Sequence, residues 1–212
     1  MTLPDFSFEK EINNQGYKFI AGMDEVGRGA FAGPVVTACV ILPKVPIDIY
    51  IHDSKKLSPK QRQTADAWIR KNALAFGIGQ ASVSQINKLG IKKACEVAFR
   101  KAISNINKLK RVEYLLMDAF YVPYLKGLRR KNQLAIVKGD QRSYSIAAAS
   151  IVAKVYRDKL MTKLSKGNHK KYFWHLNKGY GTTSHREALL KHGPTKHHRI
   201  QFIETWKKKL ES

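Results

Sequence analysis

Residues 19–29 read Phe19-Ile20-Ala21-Gly22-Met23-Asp24-Glu25-Val26-Gly27-Arg28-Gly29. An apolar run that ends on two adjacent carboxylates and then breaks into a glycine-flanked arginine predicts a strand presenting acids at its end. Pro34 to Leu42 (PVVTACVIL) is rich in β-branched residues and predicts the next strand. The glycine-punctuated turn from Arg28 to Gly33 between them favours a hairpin. Adjacent carboxylates suit a hard divalent cation, and an arginine beside them suits a phosphate.

Outward from this stretch, helices and strands follow in a readable order. Residues 1–17 are polar and mixed and suit a short lead-in helix. Ser58-Pro59 combines an N-cap with proline at the first helical position, so a helix is predicted from Pro59 to Leu74. Phe76 to Val83 reads as a third strand. Ile91, Ala94, Cys95, Ala98, Phe99 and Ala102 form a helical stripe within Ile91 to Ile103. Tyr114 to Met117 and Leu134 to Val137 are short apolar runs read as strands. Ile146, Ala149, Ala153, Tyr156 and Leu160 mark one long helix whose small alanines allow close packing on a sheet. Helix signals return after Ser184 and near the C-terminus. Strands first as a group and then alternating with helices imply an α/β fold, a mixed β-sheet flanked by helices, with a C-terminal helical extension.

The totals narrow the function classes. The chain has 212 residues, 39 Lys+Arg against 16 Asp+Glu, a net charge of +23 and 43% hydrophobic residues. That is enough apolar material for a real core, which excludes a disordered basic tail. The charge implies a polyanionic partner bound with counterion release. The alternative is a basic protein from a lysine-rich proteome. Cys39 and Cys95 are too far apart and too few for a disulfide framework, and they read as buried thiols in a reducing compartment. The N-terminal MTLPDFSFEKE lacks the pattern of a secretory signal, and no apolar stretch approaches the roughly 20 residues of a membrane span. A cytoplasmic protein without membrane attachment is expected.

Four acids follow apolar runs: Asp24 and Glu25, Asp118 after Tyr114-Leu115-Leu116-Met117, and Asp140 after Leu134-Ala135-Ile136-Val137-Lys138-Gly139. Any one alone reads as a turn residue or helix cap, the more common role of an isolated Asp. Strand ends on a shared sheet can bring all four together, and two metal ions there can clamp both oxygens of a phosphodiester in displacement. Asp53 reads as a turn residue, and Asp158 as a helix acid beside Arg157. The lysine-rich stretches Lys108–Arg111, Arg129–Lys131, Lys166–Lys171 and Lys207–Lys209 read as solvated faces. The late histidines lack zinc spacing.

Several segments carry a resemblance. AGMDEVGRGAFAGPVV at 21–36, DSKKLSPKQR at 53–62, LLMDAF at 115–120, KGDQRSYSIAAASIVAKVYRD at 138–158, NKGYGTTSHREAL and HGPTKHHR resemble the type 2 ribonucleases H, the bacterial ribonuclease HII family, in order and spacing. The resemblance implies a ribonuclease H-like fold, with a catalytic domain at 1–165 and a substrate-contacting helical extension at 166–212. It implies that Asp24, Glu25, Asp118 and Asp140 are catalytic acids holding a two-ion Mn2+ or Mg2+ site. It places the ribonucleotide-sensing segment on Gly27, Arg28 and Gly29, the substrate tyrosine on Tyr180, and lysines near nucleic acid on Lys55 and Lys56. The implied reaction is two-metal-ion cleavage of the RNA strand of RNA/DNA hybrids and 5′ of single ribonucleotides in duplex DNA, leaving 5′-phosphate and 3′-OH. The implied partners are those duplexes, bound by a monomer. No sliding-clamp motif is evident at the C-terminus, and that partnership is left open.

Ala30-Phe31 stand where the family usually has Pro-Leu, and Ile200-Gln201-Phe202 follow the HHR segment where Ser-Phe is common. Glycines let backbone groups approach a sugar closely, and the 2′-OH distinguishes RNA from DNA. Arg28 reads alternatively as a plain surface arginine, and Tyr180 as an aromatic lid on the core. A rival from another class is a non-catalytic basic RNA-binding protein, which leaves the acids unexplained. The sister type 3 enzyme carries an extra N-terminal domain, for which the roughly 18 residues before the first strand are too few.

Overall fold

Among the described residues, β1 (Ile20–Val26), β2 (Val35–Ile41), β3 (Ala75–Ala81), β4 (Tyr114–Asp118) and β5 (Gln133–Ile136) form one sheet in the order β3-β2-β1-β4-β5. The computed structural model describes residues 3–211 except 46, 48, 120 and 126, so Phe120 of the LLMDAF segment lies outside the described residues. The pairs β1–β2 and β2–β3 are antiparallel, while β1–β4 and β4–β5 are parallel. The expected hairpin and the mixed α/β sheet are both present. Helices α1 (Ser7–Asn14), α2 (Pro59–Asn72), α3 (Val83–Asn107), α4 (Tyr144–Leu164), α5 (Trp174–Asn177), α6 (Thr183–His192) and α7 (Ile200–Glu211) surround it. None of the described helices is long and apolar enough to cross a membrane.

Strand β2 is buried along its whole length because the sheet is covered on both faces. Val35, Cys39 and Ile41 pack with Ala94, Ala98, Phe99 and Ala102 of α3. Val36, Ala38 and Val40 pack with Ala65 and Ile69 of α2 and with Ala147 to Val155 of α4. The predicted alanine stripe lets α4 sit tightly on β1. At Gly22 a Cβ would lie 2.0 Å from the carbonyl carbon of Ser145, so helix backbone fills the place of a side chain. The buried Glu9 of α1 fixes the start of this helix, accepting from the Ser143 hydroxyl at 2.7 Å and the Ser145 amide at 3.0 Å. A carboxylate against free amides at a helix N-terminus is favourable.

Several boundaries differ from the sequence reading, some for a clear local reason. Leu74 leaves α2 because its amide donates to Ile41 O at 2.9 Å and joins the sheet. Val83 is the first residue of α3, because Ser82 and Gln85 form a reciprocal capping box. The predicted stripe from Ile91 is the second part of α3, beyond a kink at Gly90 (φ 76°). Strand β1 continues past Asp24 to Val26, held by β2 alone after Met23. Strand β3 is a sheet edge; Lys101 Nζ donates to Gln80 O at 3.0 Å and Asn105 Nδ2 to Ile78 O at 2.8 Å from α3.

The C-terminal helices gather around Tyr172, Trp174, Ala188, Leu189, Ile203 and Trp206, and the same cluster includes Ala32 and Met161. Phe31 packs against it, its ring 5.8 Å from that of Trp206. The Ala30-Phe31 departure thus places an aromatic where it ties the turn after β1 to the C-terminal helices.

Candidate active site

The acids come together where the parallel strands end. Pairing between β1 and β4 stops at Met23–Met117, so Asp24 is the first β1 residue beyond it and Asp118 is the last residue of β4. Asp140 lies in the 3-10 turn Gly139–Gln141 after β5. Ligands of open α/β sheets bind outside the carboxyl ends of strands. Asp24 is buried and its Oδ1 accepts from the Glu25 amide at 2.7 Å. Glu25 accepts from Arg28 Nη1 at 3.2 Å. Asp118 Oδ1 accepts from the Gly139 amide at 2.9 Å, which fixes the turn carrying Asp140 to the end of β4.

The electrostatics show that these groups share one environment. Burial, then the charges of Glu25, Asp118 and Asp140, raise the Asp24 carboxyl well above its ordinary value. Burial and then Asp53 and Asp118 push Asp140 up to about 6. Glu25 is raised by burial, against the pull of Arg28. Lys55 is the counterpart: burial opposes its charge, but Asp53, Asp140, Asp24 and Asp118 together hold its ammonium above the usual value. Crowded carboxylates that resist ionisation are a site short of positive charge.

The loop of residues 52–57 brings a further acid. Asp53, read from sequence as a turn residue, does hold a turn, accepting from the Lys55 amide at 2.9 Å. It is also buried beside Asp140, and its Oδ2 accepts from Gln141 at 3.4 Å. Its place at the head of the DSKKLS segment was the available signal. Arg62 of α2 braces the loop by donating to the carbonyls of Ser54 and Leu57. Lys55 and Lys56 are exposed, and Lys56 Nζ reaches Gln141 Oε1 at 3.5 Å. Asp158 pairs with Lys154 at 2.8 Å, not with Arg157, which turns into the interior.

The turn that follows the glycine-flanked arginine meets Tyr180, although the sequence separates them widely. Ala30 and Tyr180 form an antiparallel bridge, and the Phe31 amide donates to Gly179 O at 2.8 Å. Tyr180 is half-buried, with the Arg157 guanidinium 5.3 Å from its ring centroid. Arg28 keeps an exposed side chain. Gly27 has φ 90°, and a Cβ there would lie 2.2 Å from Arg157 Nε. Its missing side chain thus makes room for Arg157. At Gly29 an added Cβ would meet nothing within 4 Å, so that backbone borders open space.

The donor set fits a hard divalent cation, since Asp24, Glu25, Asp118 and Asp140 offer only oxygen and their charge is undercompensated. Among the described residues no three His, Cys, Asp or Glu side chains already converge closely enough to cage an ion. Asp24, Glu25 and Asp118 are each engaged by a protein donor, at 2.7, 3.2 and 2.9 Å, which cation binding would displace or share. The buried pair His185 and His198 is engaged elsewhere. His185 Nδ1 bonds Tyr180 O at 2.9 Å, and its Nε2 meets Trp174 Nε1 and His198 Nε2, each at 3.1 Å. Burial pulls the His198 imidazole down to about 3, so this set is a neutral structural network behind Tyr180.

Comparisons with known proteins show the family of the chain. Residues 21–206 match the family model described as Ribonuclease HII. Ribonuclease HII of Caldanaerobacter subterraneus subsp. tengcongensis is 45% identical over 197 residues, covering 93% of this chain and 79% of the relative. Ribonuclease HII of Wolbachia pipientis subsp. Culex pipiens is 46% identical over 203 residues, covering 95% and 97%. The crystal structure of ribonuclease H2 from Pyrococcus horikoshii OT3 superposes with a TM-score of 0.70 at 23% identity, over 90% of this chain and 100% of that one, and shows the shared fold. With the match running from the first strand to the last helix, the chain belongs to the ribonuclease HII family.

Proposed function

We propose that this ribonuclease cleaves the RNA strand of RNA/DNA hybrids and cuts on the 5′ side of single ribonucleotides embedded in duplex DNA, leaving 5′-phosphate and 3′-OH. The observation that carries the reading is the joining of the 27–31 turn, which directly follows Asp24 and Glu25, to Tyr180. Asp24, Glu25, Asp118 and Asp140 would hold two divalent ions, Mg2+ or Mn2+, whose Lewis acidity activates water and stabilises the leaving oxygen. Lys55, Lys56 and Arg28 are cations at the rim of this acidic floor and would draw in the phosphates. The backbone of Gly27 to Gly29 would read the 2′-OH, with Gly29 bordering open space. The Tyr180 ring would stack on the neighbouring sugar, where a second 2′-OH would crowd it. Residues 166–212, which position Tyr180, would form the substrate-contacting part of a monomer. The buried free thiols Cys39 and Cys95, raised by burial, suit a reducing cytoplasm.

The test is a duplex carrying one ribonucleotide, incubated with Mg2+ or Mn2+, with the cut mapped. Asp24→Asn and Asp118→Asn should each lower turnover by at least about a thousandfold, on the scale of ~4 kcal/mol. Duplex affinity should stay within severalfold, because the basic face is untouched. Near-normal turnover in either variant would remove that acid from the mechanism. Tight binding without any cutting by the wild type would favour a non-catalytic RNA-binding protein.

A further inference from the structure

Among the described residues two arginines are fully buried, and no carboxylate bonds either one. Arg157 of α4 donates from Nε to Pro34 O at 3.0 Å, from Nη1 to Lys178 O at 2.8 Å and from Nη2 to Ala32 O at 3.0 Å. Arg199 donates from Nη1 to Arg28 O at 2.8 Å, and from Nε and Nη2 to Gly33 O at 3.0 and 2.8 Å. Every one of these acceptors is a backbone carbonyl, and every one lies in residues 28–34 or at Lys178. Backbone bonds continue the seam: Arg199 N to Phe31 O at 2.8 Å and Gly33 N to His197 O at 2.9 Å.

Burying a guanidinium without a counter-charge is costly. A merely structural filler would be apolar, because an apolar side chain satisfies the same volume at lower cost. The cost is met here only by aiming each fork at carbonyls that would otherwise be orphaned in loops without ladder partners. Each planar fork spans two or more carbonyls in one geometry, which an ammonium cannot reproduce. Arg157 also lies against the Tyr180 ring and occupies the space beside Gly27.

We propose that Arg157 and Arg199 are positioning residues: Arg157 clamps segment 28–34 to segment 178–180 at Lys178, Arg199 ties segment 28–34 to the start of α7, and together they set the gap in which a DNA–ribonucleotide junction is read. The inference rests on the reading that these segments sense the junction. Neither arginine touches the acids, so the clamp acts on selectivity rather than on the chemical step.

The test uses Arg157→Lys and Arg199→Lys, which keep the charge and most of the stem, in the full chain. For each, kcat/KM is measured on a single-ribonucleotide duplex and on a long RNA/DNA hybrid. Amide hydrogen exchange is followed in both segments. Single-ribonucleotide cleavage should fall about tenfold or more, and hybrid cleavage by no more than about threefold. Adding Tyr180→Ala should cause little further loss, because the arginine acts through the tyrosine. Exchange should rise in both segments together in Arg157→Lys, and in segment 28–34 in Arg199→Lys. Equal losses on the two substrates, full additivity with Tyr180→Ala, or unchanged exchange would each overturn the clamp. If wild type ignores the single ribonucleotide, the sensing function fails, and the exchange measurement still decides whether the clamp exists. Should Arg199→Lys not fold, Arg157→Lys carries the same comparison.

Discussion

Asp140 is a side chain whose surroundings work against its charge, with burial, Asp53 and Asp118 holding it at about 6. Its folded value exceeds the unfolded one, so the protonated form is favoured by folding. That contribution is complete below the ordinary carboxylate range and is lost as pH rises through about 6. Asp24 is shifted in the same direction. Without divalent ions, Asp140→Asn should therefore melt higher than wild type at pH 8, by roughly 2–4 °C, with the gap closing toward pH 4. Added Mg2+ should raise the wild-type Tm at pH 8 and leave Asp140→Asn nearly unmoved, since a cation replaces the missing positive charge. Calorimetry at both pH values checks this, and an equal response of the two proteins would show that Asp140 takes no part in holding the ion.

The elements were largely legible from pattern alone. Apolar runs marked the strands, with β-branched residues in β2, Ser58-Pro59 marked α2, and the alanine stripe marked α4, because burial and capping leave a local signature. The start of α3 was hidden: Val83 extends an apolar run, and the Ser82–Gln85 capping box overrides it. The acids were legible because each ends an apolar run. Asp53 was not, because its partner Asp140 lies on a distant turn. The buried arginines were equally invisible, since their partners are backbone carbonyls that no residue type advertises. Gly22 shows what one missing side chain does for an element. With Ser145 backbone 2.0 Å from where its Cβ would lie, Gly22→Ala must push α4 off β1. The expected cost is about 3 kcal/mol, at the upper end for overpacking. Denaturant unfolding reads it directly, and a loss under ~1 kcal/mol would mean that the helix can shift freely.

At the scale of the molecule the charge of +23 surrounds an acidic floor. Duplex affinity should fall with salt at a log–log slope of roughly −0.9 for each phosphate contacted. A flat response would detach the charge from nucleic-acid binding. The C-terminal helices share their core with Ala32 and Met161, so Tyr180 and the 27–34 turn are seated on one apolar cluster. The outer strand offers a different lesson. Lys101 and Asn105 occupy the carbonyls of Gln80 and Ile78 along β3, at 3.0 and 2.8 Å. A bare strand rim is a template on which another chain can anneal, and a cation laid across it is a guard against that. These two side chains thus help keep the protein from stacking edge to edge into ribbons at high concentration.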